Sequence, residues 1–210
     1  MKIKICGITT LQDALAAIEA GADMLGYNFY PRSKRYITPE ACAEIQNELA
    51  RRNLAVVAVG VFVNASRQHI LHTMTRCNLG YAQLSGDENP DFLARLSAPS
   101  FKAIRPLPSA DPLPQASPFA RPTAPALLVD AHRPGQYGGT GHLADWEAAA
   151  ALAARYPLLL AGGLTPENVR AAVERVQPWG VDVASGVETS PGRKDAGKMR
   201  RFVEGVRSKE

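Results

Sequence analysis

The stretch PLLLAGGLTPENVRAAVERVQPWGVDVAS, residues 157–185, holds a complete unit of the fold. A short apolar run ends on the pair Gly162-Gly163. Thr165, Pro166 and Glu167 then give the signature of a helix start: an N-cap hydroxyl, a proline in the first turn and an acidic residue just after. Helical spacing continues to Val176, and a second apolar run, GVDVAS, begins at Gly180. Neither run alternates strictly between apolar and polar residues. Such runs suit strands covered by helices on the outside, and therefore a parallel sheet.

The same alternation extends back to the N-terminus. Strand-like runs occur at KIKIC (2–6), ADMLGYNF (22–29), LAVVAVGVFV (54–63), YAQLS (81–85), FKAIRPL (101–107) and APALLVD (124–130), which makes eight with the two above. Between and after them lie helical stretches at 11–20, 38–52, 66–77, 89–97, 145–156, 165–176 and 194–207, with Thr38 a further N-cap. Eight strands in 210 residues, one about every 26, predict a single (β/α)8 TIM-barrel domain over 1–210 better than an open doubly wound sheet. The fifth crossover departs from the pattern, with prolines at 106, 108, 112, 114, 118, 122 and 125. Proline is not tolerated inside a helix, so this connection should be largely irregular, with one or two turns starting near Asp111.

Composition narrows the function. The formal charge is +4, and the basic residues are scattered apart from pairs such as Arg51-Arg52, so no nucleic-acid stripe is present. No apolar run approaches the ~20 residues of a membrane span, and no leader-like segment precedes KIKI. Three scattered cysteines argue for a reducing compartment, and the expectation is a cytoplasmic protein without membrane or nucleic-acid partners. A closed barrel with no legible apolar face is expected to be a monomer.

In such barrels ligands sit at the C-terminal ends of the strands. Cys6, Asp130, Gly162-Gly163 and Ser185-Gly186 all fall there. Cys42 and Cys77 lie in helical stretches and read as small core hydrophobes. Cys6 instead ends its strand, and period-two alternation puts Lys4 on the same inward side. An ammonium there lowers a thiol's pKa, making Cys6 a base or nucleophile, although Lys4 is equally able to pair with Asp182 on the eighth strand. Asp130 is either a helix cap or a general acid kept protonated by a poorly solvated mouth. The glycines after strands seven and eight either make tight turns or let backbone N–H groups approach a phosphate. Gly139, Thr140 and Gly141 belong to a loop suited to covering a ligand. Arg35, in a loop with Arg32 and Lys34, is either solvated or clamps a substrate carboxylate.

The motifs KICGIT, GADMLGYNFYPRSKRYI, VGVFVN, QLSGDE, LLVDA, GGTGHLADW, LLAGGLTPENV and GVDVASGVETSPGRKD occur in an order and spacing that resembles the phosphoribosylanthranilate isomerase family, from first strand to last helix. The resemblance implies a (β/α)8 barrel without cofactor or metal. It also implies the Amadori rearrangement of N-(5′-phosphoribosyl)anthranilate, a small phosphorylated substrate, to 1-(2-carboxyphenylamino)-1-deoxyribulose 5-phosphate in tryptophan biosynthesis. By resemblance Cys6 is the general base, Asp130 the general acid and Arg35 the residue that binds or orients substrate. The glycine loops at 162–163 and 185–186 then hold phosphate, and 139–141 contact substrate. One position departs: Ser85 stands where the family pattern QLHG has histidine. Two other readings are a barrel isomerase of histidine biosynthesis, which needs an aspartate at position 6 and a second phosphate loop, and a catalytically silent phospho-ligand-binding barrel.

Overall fold

The computed structural model describes residues 1–107, 110–131 and 144–208. Eight parallel strands close on themselves in sequence order: β1 (Lys2–Cys6), β2 (Met24–Asn28), β3 (Val57–Phe62), β4 (Tyr81–Leu84), β5 (Ser100–Ile104), β6 (Leu127–Val129), β7 (Leu158–Leu160) and β8 (Gly180–Val183). The seam pairs β8 with β1, with Lys4 opposite Asp182. Each strand is followed by a helix: α1 (Leu11–Ala20), α2 (Pro39–Arg51), α3 (Arg67–Arg76), α4 (Pro90–Ala94), α5 (Leu113–Ala116), α6 (Trp146–Ala153), α7 (Val169–Val176) and α8 (Ala196–Arg207). Between β8 and α8 come a 3-10 turn at Ser185–Val187 and a two-stranded hairpin, β9 (Glu188–Ser190) with β10 (Arg193–Lys194).

Local chemistry fixes most helix starts. Side-chain oxygens of Thr10, Thr38, Ser66, Asn89 and Asp195 accept backbone N–H bonds from the first turns of α1, α2, α3, α4 and α8. Thr165 is a correction. The helix begins four residues later, because the Asn168 side chain accepts the Thr165 N–H (2.8 Å) and donates to Gly163 O (2.9 Å), which ties these residues into a turn. In the fifth crossover the four-residue α5 follows Asp111, whose carboxylate accepts the Leu113 N–H at 3.0 Å.

Two apolar layers result from the strand alternation. Ile3, Ile5, Leu25, Tyr27, Leu127 and Val129 pack outward under the helices, whereas Met24, Val59, Phe101, Ala103, Leu128, Leu159 and Ala161 fill the lumen. Lys4 and Cys6 alternate with Ile3 and Ile5 and so face inward. Lys4, Gln83 and Asp182 are the polar members of that interior, and all are buried. Among the described residues no helix is long and apolar enough to cross a membrane.

Candidate active site

A cavity of about 570 Å³ opens at the C-terminal ends of the strands. Its lining includes Cys6, Arg35, Ser85, Asp130, Gly162, Gly163 and Ser185, so six of the seven described positions singled out by the sequence as ligand-facing, and Ser85 with them, line one cavity. Gly186 adjoins it. A Cβ there would run into the Leu164 carbonyl, so glycine lets the turn after β8 lie directly on the loop after β7. Gly139, Thr140 and Gly141 lie outside the described residues.

Cys6 is the last residue of β1 and is almost wholly buried. Its partner across the ladder is Gly26 on β2, and a Cβ at that position would come within 2.7 Å of the Cys6 sulfur and 3.1 Å of Lys4 Cε. The missing side chain at 26 is therefore the space the thiol occupies. Lys4 sits one layer below. Its ammonium donates to Asp182 Oδ1 at 2.7 Å and to Gln83 Oε1 at 3.0 Å, and Gln83 Nε2 donates to Ser85 Oγ at 3.1 Å. Both sequence readings of Lys4 describe the same residue, because it pairs with Asp182 and lies beside Cys6. Burial alone would lower its pKa, but Asp182 and Cys6 hold it above the usual lysine value.

The effect on the thiol differs from expectation. Lys4 and Lys194 both pull the Cys6 pKa down, yet burial is the largest influence, Asp182 adds to it, and the thiol ends above its ordinary range. That direction favours the protonated thiol. Asp130, the residue after β6, is half-buried. Its Oδ1 accepts the Ala131 N–H at 2.8 Å, and the protein packed around the carboxyl raises its pKa despite nearby Arg105. That direction favours the protonated carboxylic acid.

Arg35 is not a solvated loop cation. Its Nε and Nη2 donate to the two oxygens of Glu188 at 2.8 and 2.7 Å. The contact with Glu188 also holds the guanidinium charge above the usual arginine range. Gly7 has φ +80°, and a Cβ there would lie 2.5 Å from Arg35 Cδ, so this glycine both turns the chain off β1 and makes room for the arginine. Glu188 is shared with Lys194, whose ammonium donates to Glu188 Oε1 (2.8 Å), Cys6 O (2.6 Å) and Ala184 O (3.1 Å). Glu188, Lys194, Gly26 and Gln83 are the residues that sequence reasoning missed. The first two stand in the quoted GVDVASGVETSPGRKD motif, but nothing in a linear pattern reveals partners 153 and 188 positions away.

Facing the cavity after β7, Gly162 and Gly163 have φ of +84° and +64°, and their N–H groups donate to no described residue. Ser85 is buried, its backbone oxygen accepting from Arg105 Nη2 at 3.1 Å. Cys42 and Cys77 are buried in the helical layer, as expected of structural thiols.

A family model described as N-(5'phosphoribosyl)anthranilate (PRA) isomerase matches residues 3–205. The N-(5'-phosphoribosyl)anthranilate isomerase of Magnetococcus marinus is 48% identical over 207 residues, covering 99% of this chain and 95% of that one. Among solved structures, monomers of the dimeric phosphoribosylanthranilate isomerase of Thermotoga maritima superpose with a TM-score of 0.84 at 36% identity, covering 98% of each chain. A phosphoribosyl anthranilate isomerase solved in complex with reduced 1-(o-carboxyphenylamino)-1-deoxyribulose 5-phosphate gives 0.82 at 36% identity, again covering 98% of each chain.

Proposed function

This chain belongs to the N-(5'-phosphoribosyl)anthranilate isomerase family, and on that premise we propose that Cys6 is the general base and Asp130 the general acid of its reaction. The chain is an isomerase of tryptophan biosynthesis that rearranges N-(5'-phosphoribosyl)anthranilate. The observation that carries the acid–base reading is that Cys6 and Asp130, from strands three apart in the ring, line one cavity.

Asp130, protonated, gives its proton to the furanose ring oxygen. The C1′–O bond breaks and the nitrogen lone pair forms an iminium. That cation acidifies the C2′ hydrogen, and it also lies beside Cys6, where a positive charge favours the thiolate that burial opposes. The thiolate takes the C2′ proton, leaving an enolamine. Protonation at C1′ and loss of the 2′-hydroxyl proton then give the ketone, so protons balance and nothing is oxidised overall. Acid and base on separate strands can address different atoms of one sugar.

Gly162, Gly163, Ser185 and Gly186 receive the phosphate through backbone N–H groups, and Arg35 receives the ring carboxylate at the other end. The loop with Gly139, Thr140 and Gly141 contacts the bound substrate. The chain works as one barrel domain over 1–210, in the cytoplasm, as a monomer. The dimeric Thermotoga maritima relative makes the last point worth testing by sedimentation.

The deciding assay follows freshly generated N-(5'-phosphoribosyl)anthranilate by loss of its fluorescence. Cys6→Ala and Asp130→Ala should each lower kcat by about 10²- to 10⁴-fold, the usual contribution of one acid or base, while still binding the reduced product analogue. Variants that retain wild-type turnover would remove the assignment.

A further inference from the structure

The geometry points to Glu188 and Lys194 as positioning residues that make Arg35 a receptor for the carboxylate on the substrate's aromatic ring. The inference rests on the reading above in which Arg35 binds that carboxylate. A guanidinium has five N–H groups in one plane. Glu188 occupies the edge formed by Nε and Nη2 in a bidentate contact. Of the three N–H groups left, two, one from each terminal nitrogen, form the end of the fork, and this edge also matches a carboxylate.

The surroundings decide which edge is offered. Arg35 lines the cavity, whereas Glu188 is only 6% exposed and does not. The occupied edge is thus turned into the protein and the end of the fork is left for the ligand. Glu188 cannot swing away, because Lys194 holds Oε1 from the other side and Lys198 Nζ donates to its backbone oxygen at 2.9 Å. The hairpin that carries both residues is fastened to the first loop by Thr9 Oγ1, which donates to Gly192 O at 2.7 Å.

Charge gives Lys194 its own part. An arginine paired only with a glutamate is neutral as a unit and attracts a carboxylate weakly. Burial pulls the Lys194 pKa down, but its three acceptor oxygens, Glu188 Oε1, Cys6 O and Ala184 O, match the three N–H groups of an ammonium. Two cations around one anion leave the trio at +1. Glu188 therefore orients the arginine and Lys194 restores the charge that orientation would cancel.

A purely structural staple would support every ligand equally, whereas a carboxylate receptor supports only those that carry the group. The test compares dissociation constants of the full chain for two probes: reduced 1-(o-carboxyphenylamino)-1-deoxyribulose 5-phosphate and the same compound without its ring carboxyl. In wild type the carboxylated probe should bind about 10- to 100-fold more tightly, as expected for charge-assisted hydrogen bonds. Glu188→Gln and Lys194→Met should erase most of that preference while moving the decarboxylated probe less than about threefold. Lys194→Arg should keep most of the preference. Equal weakening of both probes, or of neither, overturns the inference. Should those buried variants fail to fold, Arg35→Lys serves, since an ammonium held on Glu188 has no second planar edge; a preference retained there overturns the inference too. A wild type that binds both probes alike instead removes the assignment of Arg35 itself, and the turnover assay judges the isomerase reading separately.

Discussion

Cys6 and Asp130 stand on the same rim, and burial pushes both pKa values upward, but the charges act on them with very different weight. The cysteine is ringed by fixed charges of both signs: Lys4 and Asp182 below it, Lys194 on its carbonyl, Arg35 and Glu188 beside the loop that follows. Among the described residues the aspartate has one hydrogen bond, from the next backbone N–H, with Arg105 the strongest nearby charge and Asp182 and Lys4 acting more weakly. For an acid, an upward shift alone yields the working form. For a base the same shift yields the idle form, so the cysteine needs cations that can be tipped toward thiolate when an iminium arrives. The contrast shows that a dry pocket suffices to build a proton donor, whereas a buried proton acceptor has to be wired.

That contrast breaks most visibly in stability. Removing the charge from the Lys4 partner by Asp182→Asn leaves a buried ammonium without its anion and should cost about 3–5 kcal/mol in chemical denaturation. Asp130→Asn should cost nothing and raise Tm at neutral pH. The sign follows from linkage: a carboxyl whose folded pKa is raised destabilises the folded state above that pKa, and the penalty fades as pH falls and the proton returns. The advantage of the asparagine variant should therefore disappear in acid, and an advantage that persists there would sink the argument.

The rate profile sharpens the same contrast. Activity needs Asp130 protonated and Cys6 ionised, the less populated arrangement when the thiol has the higher pKa. A plot of kcat/KM against pH should rise through the raised Asp130 pKa, stay level, and fall only above the raised Cys6 value. Lys4→Met removes a charge that favours thiolate. The level region should then drop and the high-pH limb move outward, while the low-pH limb rises by less, because Lys4 is only a minor influence on Asp130. A low-pH limb that moves as far as the high-pH limb would show that the two poles are not separate.

Smaller effects test the packing around the base. Gly26→Ala forces a Cβ against the sulfur and should destabilise by about 1–3 kcal/mol, with a fall in kcat that Asp130 variants do not modify. Ser85→Ala removes only the acceptor for Gln83 Nε2 and should change kcat/KM by no more than about tenfold, the worth of one neutral hydrogen bond.

What the linear sequence reveals follows the range of the forces involved. Apolar runs and capping residues act over a few positions, so eight strands, most helix starts and the fold class are legible from them. Cys6, Asp130 and the glycine pairs are legible as strand ends because the barrel gives strand ends a common location. Thr165 misleads because its hydroxyl accepts the Glu167 N–H of a turn that Asn168 ties down, and the helix starts only after that turn. Arg35 is visible as a residue but not as a pinned one, because Glu188 lies 153 residues further on. Gly26 reads as a weak strand position until the neighbouring thiol is seen to fill its space. The direction of the thiol shift was also hidden, since it depends on how completely burial outweighs two nearby ammonium groups.

The seam between β8 and β1 has a consequence for biosynthesis. Asp182, the carboxylate partner of Lys4, leaves the ribosome 178 residues after it. Until then the amine has no native counterion and stays in water, so the first strand cannot take up its final position before the eighth has been made. Assembly of the base thereby waits for the eighth strand, and a nascent chain cut short before it carries the reactive cysteine without the setting that makes it one.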